Sequence, residues 1–132
     1  DRAVFEAIKT SRKRYHPFVR FSEYPRVLGY FDVAVAPLSG EYDKRRSDVK
    51  LLDYTLKRLP VVASKLGEYR RWEGVRLVEK PWQWRDALKS LLLDARKREG
   101  LAEAAQVNLE GRNVKDGQEY ERAFREVLEG GG

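Results

Sequence analysis

Residues able to hold a phosphate lie between an apolar run and an amphipathic segment. Residues 33–36 read Val-Ala-Val-Ala and end at Pro37, whereas apolar side chains recur at helical spacing over 48–58. Arg46 and Ser47 lie between the two. The free backbone N–H groups and the dipole at the start of a helix attract anions, so this junction is a candidate phosphate site.

The start of this predicted helix can be described residue by residue. We expect Ser47 to cap it, because serine is favoured at that position. The amides of Ser47, Asp48 and Val49 would face a bound phosphate, with the side chains of Arg46 and Lys50 nearby. Any helix start offers similar amides, and Asp48 also suits a helix start that binds nothing. The residues alone leave both interpretations open.

Asp53 is the second candidate for binding chemistry. It lies one and a half turns into the predicted helix and shares the polar face with Lys50 and Lys57. A carboxylate there could accept hydrogen bonds from two ribose hydroxyls. The alternative is an exposed ion pair with Lys57 four residues later, worth a few tenths of a kcal/mol. On the residues alone, the ion pair is the simpler interpretation.

Composition excludes several other kinds of site. The 132 residues contain no cysteine and a single histidine, His16, which argues against disulfides, thiolate metal sites and clustered histidine ligands. The net charge of +6 favours anionic partners. The alternative explanation for the positive charge is a well-solvated surface that binds no specific partner. We find no Walker, GxGxxG, HExxH or GxSxG pattern. Because RNP, KH and helix-turn-helix patterns are also absent, we expect no nucleic acid partner.

Short valine-rich runs alternate with helical patterns along the chain, and this alternation is typical of α/β construction. We therefore predict a Rossmann-like parallel sheet of about four strands flanked by helices. The predicted strands cover 18–21, 33–36, 61–63 and 75–78. The predicted helices cover 1–14, 24–31, 48–58, 68–72, 81–100 and 101–110, and a last helix begins at the capping pair Asp116 and Glu119.

One stretch resembles a known family. Residues 31–69 read FDVAVAPLSGEYDKRRSDVKLLDYTLKRLPVVASKLGEY. This is similar to the signature of the C-terminal domain of group 1 glycosyltransferases of the GT-B fold. The matching positions are Asp32, Ala36-Pro37-Leu38, Ser47, Lys50, Asp53-Tyr54 and Pro60-Val61-Val62-Ala63-Ser64. The resemblance extends weakly through the later helices and covers about three quarters of the chain.

The resemblance implies a role for each matching position. The substrate would be a nucleoside-diphosphate sugar, with no bound metal and no further cofactor. Asp53 would bind the donor ribose, and the amides of Ser47, Asp48 and Val49 would hold the diphosphate. Pro37 and Leu38 would border the nucleotide. Asp53 replaces the usual glutamate, and Arg45 stands where many members carry a second glutamate.

The resemblance also implies an incomplete enzyme. We expect 1–132 to be a single partial C-terminal domain, with the signature in 31–69 and a helical part in 81–129. Two strands of the family's domain and the N-terminal acceptor domain are missing, so the chain alone should not catalyse transfer. Either the 18–21 strand pairs elsewhere, self-association completes the sheet, or that strand is loosely held.

Two further expectations follow for the parent protein. It would be a glycosyltransferase in the cytoplasm or at the inner membrane surface. The alternative to an enzyme is a non-catalytic basic α/β interaction module, favoured by the net charge, by Asp53 and Arg45 in place of glutamate, and by the missing strands.

Overall fold

Three short parallel strands form the centre of the fold. The computed structural model describes residues 2–130, and between 113 and 130 it describes only the side chains of Gln118, Arg122, Arg125 and Glu126. Within this range the sheet has the order β1-β2-β3, and both neighbouring pairs are parallel. The strands are β1 (Ala34–Ala36), β2 (Val61–Ser64) and β3 (Arg76–Val78).

Helices connect the strands and follow the sheet. Before β1 come α1 (Arg2–Ala7) and α2 (Tyr24–Leu28). The crossover from β1 to β2 contains α3 (Gly40–Asp43) and α4 (Val49–Leu56), and a 3-10 helix (Gly67–Arg71) joins β2 to β3. After β3 come α5 (Gln83–Leu93) and α6 (Ala95–Gly130). The predicted α/β class and the parallel sheet are confirmed.

The sheet separates two groups of buried residues, because successive strand side chains point to opposite faces. On one face, Val61 and Ala63 pack with Leu51 of α4 and Leu109 of α6. On the other, Val62 and Val78 pack with Ala87 and Leu91 of α5. Val35 pairs in register with Val62 but remains 47% exposed. The uncovered side chain reflects the position of α5, which packs on β2 and β3.

The predicted strand over 18–21 is wrong, so the sheet has three strands rather than four in the described residues. Residues 13–20 have no regular structure, and a turn covers 21–23. Phe18 and Phe21 are 98% and 90% exposed. A strand needs a paired neighbour and a buried face, and this segment has neither, although its sequence has strand propensity.

The helix boundaries after β3 also differ from the prediction. The run expected over 81–100 ends at Leu93, because Asp94 adopts an extended conformation (φ −135°, ψ 103°). The Asp94 carboxylate then accepts a hydrogen bond from the Lys97 amide at 3.2 Å, which caps the start of α6. Gly100, expected to stop the helix, lies inside α6. The break between the two helices therefore lies at Asp94 and not at Gly100.

The last two predicted helices form one. α6 continues from Ala95 to Gly130, so the separate helix predicted to begin at Asp116 is wrong. The apolar face expected for it (Tyr120, Ala123, Phe124, Val127 and Leu128) lies outside the described side chains. Gly111 has low helical propensity, but no proline interrupts the connecting residues, so the backbone can continue the helix through them.

Two left-handed residues fix how the helices meet the sheet. Arg58 has φ 55°, and the amides of Arg58 and Leu59 donate to the carbonyls of Thr55 and Tyr54, both at 2.9 Å. This Schellman motif ends α4 and directs the chain into β2. Gly74 has φ +74°, and a Cβ there would lie 2.0 Å from the Ala105 amide nitrogen. The backbone of α6 therefore packs directly on Gly74.

Candidate functional site

The carboxyl edge of the sheet brings two parts of the signature together. The Ser64 hydroxyl, at the end of β2, accepts a hydrogen bond from the Leu38 amide at 2.8 Å. It also donates to the Leu38 carbonyl at 3.1 Å. Pro37 is exposed and Leu38 is half-buried against the core. Ser64 thus fixes the loop that carries two of the predicted nucleotide-bordering residues.

The loop between β1 and α4 is anchored rather than open. The Ser39 amide donates to the Asp43 carboxylate at 2.8 Å, and Lys44 forms an ion pair with Glu41. A Cβ on Gly67 would lie 2.5 Å from the Lys44 carbonyl oxygen, and Gly67 has φ +54°. The loop therefore packs against the start of the 3-10 helix, where only glycine fits without strain. This contact positions the residues that lead into α4.

The start of α4 differs from the predicted arrangement. The N-cap residue is Asp48, not Ser47, and its side chain makes no capping hydrogen bond. Its carboxylate instead accepts hydrogen bonds from Trp72 Nε1 at 2.8 Å and from an Arg112 guanidinium nitrogen at 3.0 Å. The Arg112 guanidinium also lies 4.8 Å from the Trp72 ring centroid. Asp48 therefore joins α4 to the 3-10 helix region and to α6.

The environment of Asp48 changes its titration. Burial by itself would raise the pKa of this carboxyl group, but the hydrogen bonds from Trp72 and Arg112 and the charge of Arg112 outweigh it. The net effect holds the pKa of Asp48 below its ordinary value. Trp72 is only 3% exposed, so the contact lies at the edge of the core. Asp48 is thus a charged, paired group at the helix start.

The first amides of α4 remain available to a ligand. The Asp48 carbonyl accepts hydrogen bonds from the Leu51 and Leu52 amides, at 2.9 and 3.2 Å. Among the described residues we find no acceptor for the amides of Val49 and Lys50. Both residues are exposed, as are the neighbouring Arg45, Arg46 and Ser47. Two free amides at the positive end of a helix can bind an anion such as a phosphate.

Asp53 is half-buried on α4, and its charge acts on Tyr24 of α2. Burial is the main cause that raises the pKa of Tyr24, and the negative charge of Asp53 adds to it. The ion pair with Lys57, the alternative prediction for Asp53, is not among the ion pairs of the described residues. Its carboxylate is thus without a basic partner there. The ribose-binding role stays a prediction.

The cavities with defined walls lie away from this edge. One of about 490 Å³ is lined by residues near the amino end of β2 and on α6, among them Asp32, Arg58 and Arg98. Another, of about 780 Å³, lies along α6 beside Glu73 and Asn108. Neither contains any of the eight predicted binding residues. These two cavities therefore do not coincide with the candidate site.

Metal ligation and membrane spanning have no support in the described residues. No group of three or more His, Asp or Glu side chains there could hold a metal ion. The helices in the same range lack the combination of length and apolar character that crossing a bilayer requires.

Comparison with protein-family models, curated proteins and solved structures found no match in any of the three. The resemblance to group 1 glycosyltransferases thus rests on the quoted residues alone. The fold brings Pro37, Leu38 and the start of α4 to one edge of the sheet, as the carboxyl ends of parallel strands require. Asp53 lies further along α4.

Sequence reasoning missed the two partners of Asp48. Trp72 is a buried core residue, and its indole nitrogen donates to the Asp48 carboxylate. Arg112 lies 64 positions from Asp48, so no local spacing could connect them. Ser64 was part of the matched signature, but its hydrogen bonds to Leu38 follow from tertiary proximity across 26 positions. The side-chain partners of a helix start are thus hidden from local patterns.

Proposed function

We propose that this chain binds the diphosphate and ribose of a nucleoside-diphosphate sugar, as the donor-binding part of a glycosyltransferase. The observation that carries the proposal lies at the carboxyl edge of a parallel sheet, where the amides of two exposed residues, Val49 and Lys50, have no acceptor among the described residues. Ligands of open α/β sheets bind at this edge, and phosphates bind at helix starts.

The neighbouring side chains support an anionic ligand. Arg45, Arg46 and Lys50 are exposed around the helix start. The closest carboxylate contact of Arg46 is a long one, 3.8 Å to Asp43. The negative charge of Asp48 is compensated by Arg112 at 3.0 Å. A diphosphate at the helix start would therefore meet basic groups and amides, and the carboxylate of Asp48 beside it is already paired with Arg112.

The chemical role of such a site is to stabilise the leaving group. When a sugar leaves its nucleotide, negative charge grows on the departing diphosphate. Fixed amides and arginines near that charge lower the barrier, because they need no reorganisation during the reaction. Asp53 would accept hydrogen bonds from the ribose and orient the nucleotide. Transfer itself also requires an acceptor-binding surface, so we expect this chain alone to bind the donor without turnover.

Isothermal titration calorimetry with UDP, GDP and their sugar conjugates tests the proposal. We expect one of these nucleotides to bind. Arg46→Gln should lower its affinity roughly tenfold or more, the typical loss for one charge-assisted hydrogen bond. Asp53→Ala should weaken the binding of the nucleoside diphosphate but not the binding of inorganic pyrophosphate, because pyrophosphate lacks the ribose. Asp86→Ala, an exposed carboxylate on α5, serves as the matched control and should change nothing.

One outcome would end the proposal. If none of these nucleotides binds the folded chain, or if binding is unaffected by both Arg46→Gln and Asp53→Ala, the donor site does not exist on this surface. Far-UV circular dichroism of each variant separates a lost ligand contact from a lost fold.

A second function has its own supporting observation. Because Asp48 is held by Trp72 and Arg112, the start of α4 already has a structural task. The exposed Arg45, Arg46 and Lys50 could then serve a non-catalytic module that binds an acidic protein partner. Such a module would bind polyglutamate with a steep salt dependence and ignore nucleotide sugars. Nucleotide binding with a weak response to polyglutamate would exclude it.

A further inference from the structure

Two phenylalanine side chains near the start of the chain are almost fully in water. Phe18 is 98% exposed and Phe21 is 90% exposed. They lie in a stretch without regular structure, between α1 and α2. Scattered apolar side chains on a surface are ordinary, but two almost fully exposed phenylalanines three positions apart concentrate apolar area in one short stretch. These rings contribute almost nothing to the core.

The residues around this patch carry only positive charge. We call residues 9–21 the basic aromatic segment; it contains Lys9, Arg12, Lys13, Arg14 and Arg20, and no acidic residue lies between Glu6 and Glu23. Lys9, Arg12, Arg14 and Arg20 are exposed. None of these four takes part in an ion pair among the described residues. The segment therefore favours an anionic partner.

Lys13 has a different task and gives the segment its shape. Its ammonium donates to the carbonyls of Phe5 at 2.7 Å and Ile8 at 2.8 Å, at the end of α1. It also lies 4.5 Å from the Phe5 ring centroid, and Phe5 contacts Tyr15 with centroids 5.4 Å apart. These contacts hold α1 against the segment. They leave Val4 and Ile8 of this unit 62% and 50% exposed.

We propose that the basic aromatic segment attaches this protein to an anionic membrane surface. Phe18 and Phe21 would enter the boundary between lipid headgroups and acyl chains, and the free arginines and lysine would contact anionic headgroups. A single-stranded nucleic acid would also accept basic and aromatic residues. The exposed aliphatic side chains Val4 and Ile8 favour lipid, because they have no ring with which to stack on a base.

Co-sedimentation of the full chain with vesicles tests the proposal. The wild type should bind vesicles of phosphatidylcholine mixed with phosphatidylserine, bind pure phosphatidylcholine weakly, and be released by salt. Each basic residue lost should lower the partition coefficient roughly fivefold. Phe18→Ser or Phe21→Ser should each lower it roughly tenfold or more, the loss expected for an aromatic side chain leaving an apolar environment.

Matched controls carry the same changes elsewhere. Trp82 is 70% exposed on a different part of the surface, so Trp82→Ser removes an exposed aromatic without touching the segment. Lys89→Gln on α5 removes an exposed positive charge in the same way. Both controls should bind vesicles nearly as the wild type does. Circular dichroism should be unchanged in every variant, because all substituted side chains are exposed.

Two results would overturn the proposal. The first is failure of the wild type to bind phosphatidylserine vesicles at low salt, or equal binding by wild type and a Phe18→Ser, Phe21→Ser double variant. The second is binding of single-stranded RNA, lost in that double variant, without vesicle binding, which would assign the segment to nucleic acid. Because the segment shares no residue with the donor site, nucleotide titrations of the same variants separate this proposal from the enzymatic one.

Discussion

The contact of Asp48 with Trp72 and Arg112 leads to a quantitative prediction. Asp48→Asn removes the negative charge. The neutral amide oxygen that replaces the carboxylate accepts weaker hydrogen bonds from Trp72 and Arg112 than the carboxylate does. A hydrogen bond to a charged group contributes about 1.5–3 kcal/mol. The side chains of Arg112 and Asp48 are 21% and 17% exposed, so water screens part of the attraction. We therefore expect a loss of about 2 kcal/mol in unfolding free energy at neutral pH.

The pH dependence supplies a signature that a simple packing defect would not show. The pKa of Asp48 is lower in the folded protein than its ordinary value of 3.8. The stabilisation is therefore fully present above that ordinary value and is lost as the pH falls through the lower, folded-state pKa. The wild type and Asp48→Asn should differ at neutral pH and converge in strong acid. Urea unfolding followed by tryptophan fluorescence measures the difference at each pH.

The control and the refuting result come from the same helix. Asp53→Asn changes an equivalent carboxylate that makes no ion pair in the described part of the chain, so its effect should stay within about 0.5 kcal/mol. A double-mutant cycle of Asp48→Asn with Arg112→Gln should give a coupling energy of about 1–3 kcal/mol. The stabilising role of Asp48 is refuted if Asp48→Asn lowers the free energy of unfolding by less than about 0.5 kcal/mol, or if the loss is the same in acid.

Three other substitutions test the packing around the site by thermal and urea unfolding. Thr55 is fully buried and its hydroxyl has no hydrogen-bond partner, so Thr55→Val should stabilise by about 1 kcal/mol, whereas Thr55→Ser should destabilise. Gly74→Ala should lower the free energy of unfolding by about 3 kcal/mol or more, because the new Cβ meets the backbone of α6. Gly100→Ala, whose Cβ would have no atom within 4 Å, should instead raise it by up to about 1 kcal/mol. Arg58→Gly should stabilise by about 0.5–1 kcal/mol by relieving a left-handed conformation, and Lys57→Gly, at φ −89°, should not. A destabilised Thr55→Val, a tolerated Gly74→Ala or a destabilised Arg58→Gly would each contradict the corresponding contact.

The sequence was sufficient to predict the parts of the fold that depend on local pattern. The continuous apolar runs ending at Ala36 and Ala63 predicted two strands, and both strands are present. β2 is buried on both faces, whereas Val35 leaves one face of β1 exposed. The apolar spacing over 48–58 predicted α4 to within two residues at each end. The order of strands and helices also predicted that Pro37, Leu38 and the start of α4 would meet at one edge.

The failures occurred where local propensity had to be weighed against contacts. Residues 18–21 have strand propensity, yet no neighbouring strand pairs with them among the described residues. Gly100 and the residues after Glu110 predicted helix ends. In the structure α6 begins after the cap at Asp94 and continues without a break through both places. A propensity difference of about 1 kcal/mol per residue is smaller than what a cap and tertiary packing contribute together.

The sequence by itself determined the α/β class and the types of residue gathered near the candidate site. Only the tertiary structure decided what those residues do there. Asp48, an ordinary residue for a helix start, turns to Trp72 and Arg112 because folding brings positions 24 and 64 residues away into hydrogen-bonding distance. The same folding leaves Val49 and Lys50 exposed. Periodicity reports which face of an element is buried, but the partner of a polar group depends on contacts between distant segments.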